Sequence, residues 1–326
     1  MKRPLEIVSD DGDVVVLRAT EPLGPPAETA GIAVRYATRT GALLRVDGIV
    51  RGAFDREHDS VPLPAHVRGD VTLEVERRAM PTTGLPSGAG FRWTWILANA
   101  AQKPARVIET IARVMPKLRA RSRVAKPSAE DLALVGHSHL DVAWLWTYGD
   151  TARKAQRTFA TSVRQLESHV GFVFTQSQAQ LYAWVELGDP TFFERVRALG
   201  RAGRFDTSGA AMWVESDCNL PSGESLLRQL SFGIRYIERT FGGRPSVAWL
   251  PDTFGFANTI PTLLGHAGIA SFGTTKLGWN DTTAFPHARF VWEGPDGTRI
   301  ASAQIASIEG DVDAARRPLI AVLEFR

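Results

Sequence analysis

The sequence predicts an α/β protein in two parts, an N-terminal β-sandwich followed by strands and helices alternating on a parallel sheet. Three observations carry that reading. Short valine-rich runs separated by Gly, Pro and Asp fill the first hundred residues. Strand-like and helix-like stretches alternate after residue 131. Polar clusters then follow the strand-like runs of the second part, where α/β folds keep their ligands.

In chain order, "DVVVLRA", "GIAVRYA", "ALLRV" and "VTLEVERR" read as strands of the sandwich. Asp47-Gly48, between two apolar runs, signals a two-residue hairpin turn. "FRWTWILAN" has the same alternation and closes a first domain at 1–103. "ARVIETIARVMPKLRA" reads as a helix within a linker, 104–130, and its basic run as a solvated face, since no aromatic residues interleave with it. In the remaining domain, 131–326, "LALV" is a buried strand ending at Gly136. Helix "TARKAQRTFATSVRQLESHV", strand "FVFTQ", helices "QAQLYAWVEL" and "PTFFERVRAL", and the segment "RFDTSG" follow. Helix "ESLLRQLSFGIRYIERTF", strand "SVAWL" and helix "TIPTLLGHAGI" continue the alternation, so the parallel sheet is open or closed into a barrel.

Composition narrows the function. With 326 residues, 44% hydrophobic and 22% charged, the chain is a globular protein rather than a disordered one. A formal charge of +3 gives no footprint for nucleic acid. The N-terminus lacks the apolar core of a signal peptide, and no run is long enough to cross a bilayer, which reads as no membrane partner. The single cysteine, Cys218, fits a reducing compartment, and the expected location is cytoplasmic. It reads as a small buried residue without a histidine partner.

The chemistry concentrates in three places. "GHSHLDVAWLWT" puts His139 and Asp141 directly after a strand, a two-ligand seat for a divalent cation of zinc type. His-x-Asp also occurs as a plain hydrogen-bonded pair, and this stretch alone leaves both open. "SVAWLPDTFGFANTIP" places Asp252 at a second strand end, in the position Asp141 holds in the first unit. "GAAMWVESDCNLPSGES" offers Trp213, Glu215 and Asp217, with Glu224 in the first turn of the next helix. Trp144, Trp146, Trp213, Trp249 and Trp279 all lie near these strand ends, and aromatic faces beside carboxylates suit a sugar. No phosphate-binding fingerprint is present.

"GHSHLDVAWLW", "QSQAQLYAWVE", "MWVESDCNLPSGESLLRQL", "WLPDTFGFANTIP" and "TTKLGWNDTTAFPHARFVWEGPDGT", in this order, resemble α-mannosidases of glycoside hydrolase family 38, cytosolic and bacterial branch. The resemblance implies a (β/α)7 barrel after the sandwich and one zinc ion per active site. It matches His139 and Asp141 to two zinc ligands, and Asp252 to both a third ligand and the catalytic nucleophile. Trp144 matches the aromatic residue under the bound mannose, and Trp213 and Glu215 join it as expected substrate contacts. "GAAMWVE" and "FPHARF" each depart slightly from the family pattern. A fourth ligand and the acid/base residue of the family lie beyond "LIAVLEFR", so the resemblance implies an N-terminal fragment, its barrel incomplete, weakly active or inactive alone.

The expected function is therefore zinc-assisted, retaining hydrolysis of terminal α-mannosidic bonds, with mannosides and oligosaccharides as partners. Homo-oligomerisation of a full-length form stays open. Two other readings stand beside it: a metal-dependent deacetylase or amidohydrolase with Asp252 as base, and a non-catalytic mannose-binding protein.

Overall fold

A computed structural model describes residues 6–10, 14–23, 33–36, 41–54, 59–64, 66–67, 69–78, 133–278, 285–307 and 320–324. The expected strand "FRWTWILAN", the helical linker 104–130, both expected domain boundaries and Trp279 lie outside them. The chain forms two compact units. One comprises residues 1–79, 136–304 and 325–326, and the other residues 80–135 and 305–324.

The first unit begins with an antiparallel sheet of β1 (Glu6–Asp10), β2 (Val14–Leu23), β4 (Ala42–Val46), β5 (Ile49–Phe54) and β7 (Gly69–Arg78), in the order β1-β2-β7-β4-β5. Asp47 and Gly48 both take positive φ, 52° and 76°, the pair a two-residue type I′ turn needs between β4 and β5. Thr72 N donates to Asp47 Oδ1 at 2.8 Å and ties the turn to β7. A ribbon of β3 (Ala33–Arg35) and β6 (Ser60–Pro62) covers one face, where Val61 packs with Leu44, Val46 and Phe54. The other face sends Leu43, Val50 and Ala53 into the core of the helices that follow. Burial on both faces explains why "ALLRV" does not alternate cleanly. Of the expected sandwich, this sheet and its ribbon are what the described residues contain.

Strands and helices then alternate. β8 (Ala133–His137), β9 (Phe174–Thr175) and β10 (Phe205–Asp206) are parallel, in the order β10-β9-β8. β11 (Val247–Trp249), β12 (Ser271–Thr274) and β14 (Arg299–Gln304) form a second parallel run, with β13 (Arg289–Glu293) antiparallel at its edge. Ser208 O accepts from the amides of Ser246 and Val247, joining the continuation of β10 to β11. In the other unit, β15 (Ala306–Ser307) pairs in parallel with β16 (Ile320–Glu324).

Local chemistry sets the helices. α1 (Tyr148–Ser168) starts on a capping box in which Thr147 Oγ1 accepts from Asp150 N and Asp150 accepts from Thr147 N. α2 (Ala179–Gly188) ends at Asp189, which caps α3 (Pro190–Arg201) with Pro at its first position. α4 (Gly223–Phe241) opens on Ser222, carries Glu224 in its first turn as expected, and stops at Gly242 with φ 82°. α5 (Ile260–His266) follows β11. Phe159, Phe174, Tyr182 and Phe205 are fully buried together, with Phe159 5.0 Å from both Tyr182 and Phe205. No helix among the described residues is long and apolar enough to cross a membrane.

One glycine decides how close α4 can come. A Cβ at Gly233 would stand 2.5 Å from the carbonyl carbon of Met212 and 2.6 Å from Ala211 O, so only a bare backbone lets the helix lie on this segment. Alanine would add about 1 kcal/mol of helix propensity. Displacing the facing backbone costs roughly 1–3 kcal/mol, and the second effect is larger. Gly233→Ala is expected to lower the urea midpoint, and a raised midpoint would contradict the packing described here.

Candidate functional site

β8 leads into the first candidate ligands, His139 and Asp141. A Cβ at Gly136 would stand 2.6 Å from the ring of Phe172, so glycine lets the strand pass beneath it. His137, fully buried, meets the ring of Trp249 edge-on at 5.8 Å. Burial, and secondly His139, push its pKa down to about 3, so it is a neutral wall behind the site. The strand ends there, and alternation along a strand does not direct His139 and Asp141. Two buried amides act instead: Gln176 Nε2 donates to Ser138 O at 2.8 Å and Gln178 Nε2 to Leu140 O at 2.7 Å. They hold the backbone on either side of His139.

β11 delivers Asp252. Its main-chain N–H donates to Glu215 Oε1 at 2.5 Å, and Thr253 Oγ1 donates to the same oxygen at 3.2 Å. Asp252 Oδ1 is ion-paired with Lys276, just past β12, whose ammonium also lies 4.8 Å from the centre of the Phe254 ring. Asp252 Oδ2 is 3.5 Å from His139 Nε2. Asp141 Oδ1 is 3.4 Å from that same nitrogen.

These atoms fit a divalent cation. One donor atom from each of His139, Asp141 and Asp252 lies within 4.8 Å of the others. Two ligands about 2.0–2.1 Å from one tetrahedral ion stand about 3.4 Å apart, close to both distances at His139. Burial alone would lower the His139 pKa, yet the carboxylates of Asp141, Glu215 and Asp252 carry it up to about 10. One imidazole among three carboxylates marks a pocket that favours positive charge.

Trp144 is 67% exposed and meets Trp146 edge-on at 5.3 Å, in the loop after Asp141. Trp213 lies instead in a surface groove of about 510 Å³ with Phe232, Arg235, Tyr236 and Arg239, its indole N–H donating to Gln180 at 2.8 Å. Glu215, two residues on, turns toward His139 and Asp252 and is 4% exposed. Its Oε2 stands 3.1 Å from His139 Nδ1, without the alignment of a full hydrogen bond. Asp217 Oδ1 accepts from the amides of Asn219 and Leu220, which closes a turn. Cys218 is buried, and burial first, then Asp217 and Glu215, push its thiol up to about 12.

Sequence reasoning missed Gln176, Gln178 and Lys276. Each follows the end of a parallel strand, β9 or β12, and that position is the one signal the sequence held for them.

Residues 130–314 match the model for the glycosyl hydrolases family 38 N-terminal domain. The chain is 43% identical to alpha-mannosidase G of Dictyostelium discoideum, over 51% of this chain and 15% of that one. It is 39% identical to an alpha-mannosidase of Saccharomyces cerevisiae, again over 51% and 15%. It thus spans a small part of the length of these relatives. A crystal structure of a family 38 protein from Enterococcus faecalis aligns with TM-score 0.48 and 19% identity, covering 61% of this chain and 24% of that one.

Gln178 also accepts from Glu215 N, at 3.0 Å, so a single side chain ties two strand-end loops together. Gln178→Leu would strand one buried carbonyl and one buried amide, each costing about 1–3 kcal/mol. The expected loss in urea unfolding is about 2–6 kcal/mol. A loss below about 1 kcal/mol would mean that water replaces the amide.

Proposed function

This chain belongs to glycosyl hydrolase family 38, and from that membership we propose that it carries the zinc and nucleophile half of a retaining α-mannosidase site. The observation that supports this most directly is the convergence of Asp141 and Asp252 on His139 Nε2, at 3.4 and 3.5 Å. In this reading His139, Asp141 and Asp252 hold one zinc ion on the wall of a (β/α)7 barrel. Zinc, when bound, would polarise neighbouring hydroxyls of mannose and spread developing charge.

The bond-making part of the chemistry falls to Asp252. A carboxylate oxygen of Asp252 forms a bond to the anomeric carbon, and the glycosidic C–O bond breaks with its electron pair on the leaving oxygen. That oxygen takes a proton from a second carboxylic acid. Water then attacks the same carbon as the second carboxylate takes its proton back, and Asp252 leaves as the carboxylate. Asp252 is suited to the task because its backbone is held by Glu215 and one carboxylate oxygen is paired with Lys276. The exposed face of Trp144 offers the sugar a stacking surface. Mannosides and oligosaccharides are the proposed partners. Cys218, the single cysteine of the chain, accords with a cytoplasmic location.

A mannosyl fluoride with a second fluorine on the ring tests the reading, since fluoride leaves without needing a proton. Incubated with zinc, the protein is expected to gain one fluoromannosyl group on the peptide holding Asp252, and chelation should prevent it. Asp252→Asn should reduce the labelling rate by roughly a thousandfold or more. Labelling at another carboxylate, or undiminished labelling of the variant, would assign the nucleophile elsewhere. Zinc binding with no adduct would favour a water-activating hydrolase.

A further inference from the structure

We propose that Glu215 is a positioning residue that serves the metal and the nucleophile at once, and that it makes no contact with sugar. The inference rests on the zinc reading given above. Glu215 is 4% exposed, and a carboxylate is costly to bury unless every oxygen has a use. One oxygen accepts from Asp252 N and Thr253 Oγ1. The other faces His139 Nδ1 at 3.1 Å. Its own main-chain N–H is bound by Gln178, so the side chain is delivered from a fixed backbone.

This arrangement selects a tautomer. His139 turns Nε2 toward Asp141 and Asp252, and that nitrogen needs a free lone pair to bind a cation. The ring proton must then sit on Nδ1, and a carboxylate beside Nδ1 is what keeps it there. Glu215 itself is no ligand, because it lies on the wrong side of the imidazole. Its other oxygen fixes where the Asp252 backbone stands, so ligand and nucleophile share one reference point.

Glu215→Gln separates the two tasks. The amide oxygen still accepts from Asp252 N, while the amide nitrogen offers a proton to Nδ1 and favours the tautomer that cannot bind metal through Nε2. Zinc affinity, measured by competition with a chromophoric chelator, is expected to fall about 10–100-fold, the usual cost of losing such a partner. In the metal-free protein Glu215 also faces a protonated His139, so melting without zinc is followed separately, and a purely structural role would leave the zinc affinity of the folded variant unchanged. In zinc-loaded wild-type protein, ¹⁵N NMR should show His139 protonated at Nδ1 and coordinated at Nε2.

The control is His139→Ala. If it binds zinc as well as wild type, the metal reading itself fails. If it loses zinc while Glu215→Gln keeps full affinity, only the role of Glu215 is overturned. Coordination of wild-type His139 through Nδ1 would overturn it too, whether or not the variant folds.

Discussion

Once the chain leaves β8 at His137, the carbonyls of Ser138 and Leu140 have no strand beside them, yet both residues are buried away from water. Backbone oxygens in that position must find partners. Gln176 and Gln178, arriving from the end of β9, supply them. Everything at the site depends on this, because the same two bonds fix the backbone flanking His139. Gln178 extends the constraint to Glu215, and Glu215 extends it to Asp252. Three strand-end loops are thus linked through polar groups that have nowhere else to turn.

The electrostatics follow from that frame. Asp141, Glu215 and Asp252 crowd one imidazole, and Lys276 is the cation set against Asp252. Without a metal, a protonated His139 and Lys276 partly neutralise the three acids, which is why the histidine holds its proton so firmly. A divalent cation would take over the part of that proton and leave Lys276 in place. The two oxygens of Asp252 are therefore unequal: one faces the ligand cluster and the other a lysine that is 9% exposed.

Much of this was legible in the sequence, for reasons that differ by residue. Asp47-Gly48 and Glu224 in the first turn of α4 are local signals, and local structure obeys them. His139, Asp141 and Asp252 stood out because charged residues directly after strands are conspicuous. Glu215 was expected as a substrate contact, and its bonds to Asp252 and Gln178 were not foreseen, since those partners lie 37 residues away. The glutamines were hidden for the same reason: an amide looks alike in sequence whether it faces water or clamps a buried carbonyl. Trp213 was grouped with the site by proximity, yet the chain turns between it and Glu215 and sends the indole to Tyr236 on α4.

The distribution of aromatic residues adds a last constraint. Phe159, Phe174, Tyr182 and Phe205 interlock in a core closed to water, which makes the sheet beneath the site stiff. Trp144, Tyr148 and Phe254, on the chain just after β8 and β11, are by contrast each more than 60% exposed. Large exposed rings near a mouth lined by carboxylates are unfavourable in water alone. A ligand suited to both would offer apolar C–H faces to the rings and hydroxyls to the acids. The pyranose proposed above has both on one small rigid body, whereas a flat apolar ligand lacks the hydroxyls and a simple anion is repelled by the acids.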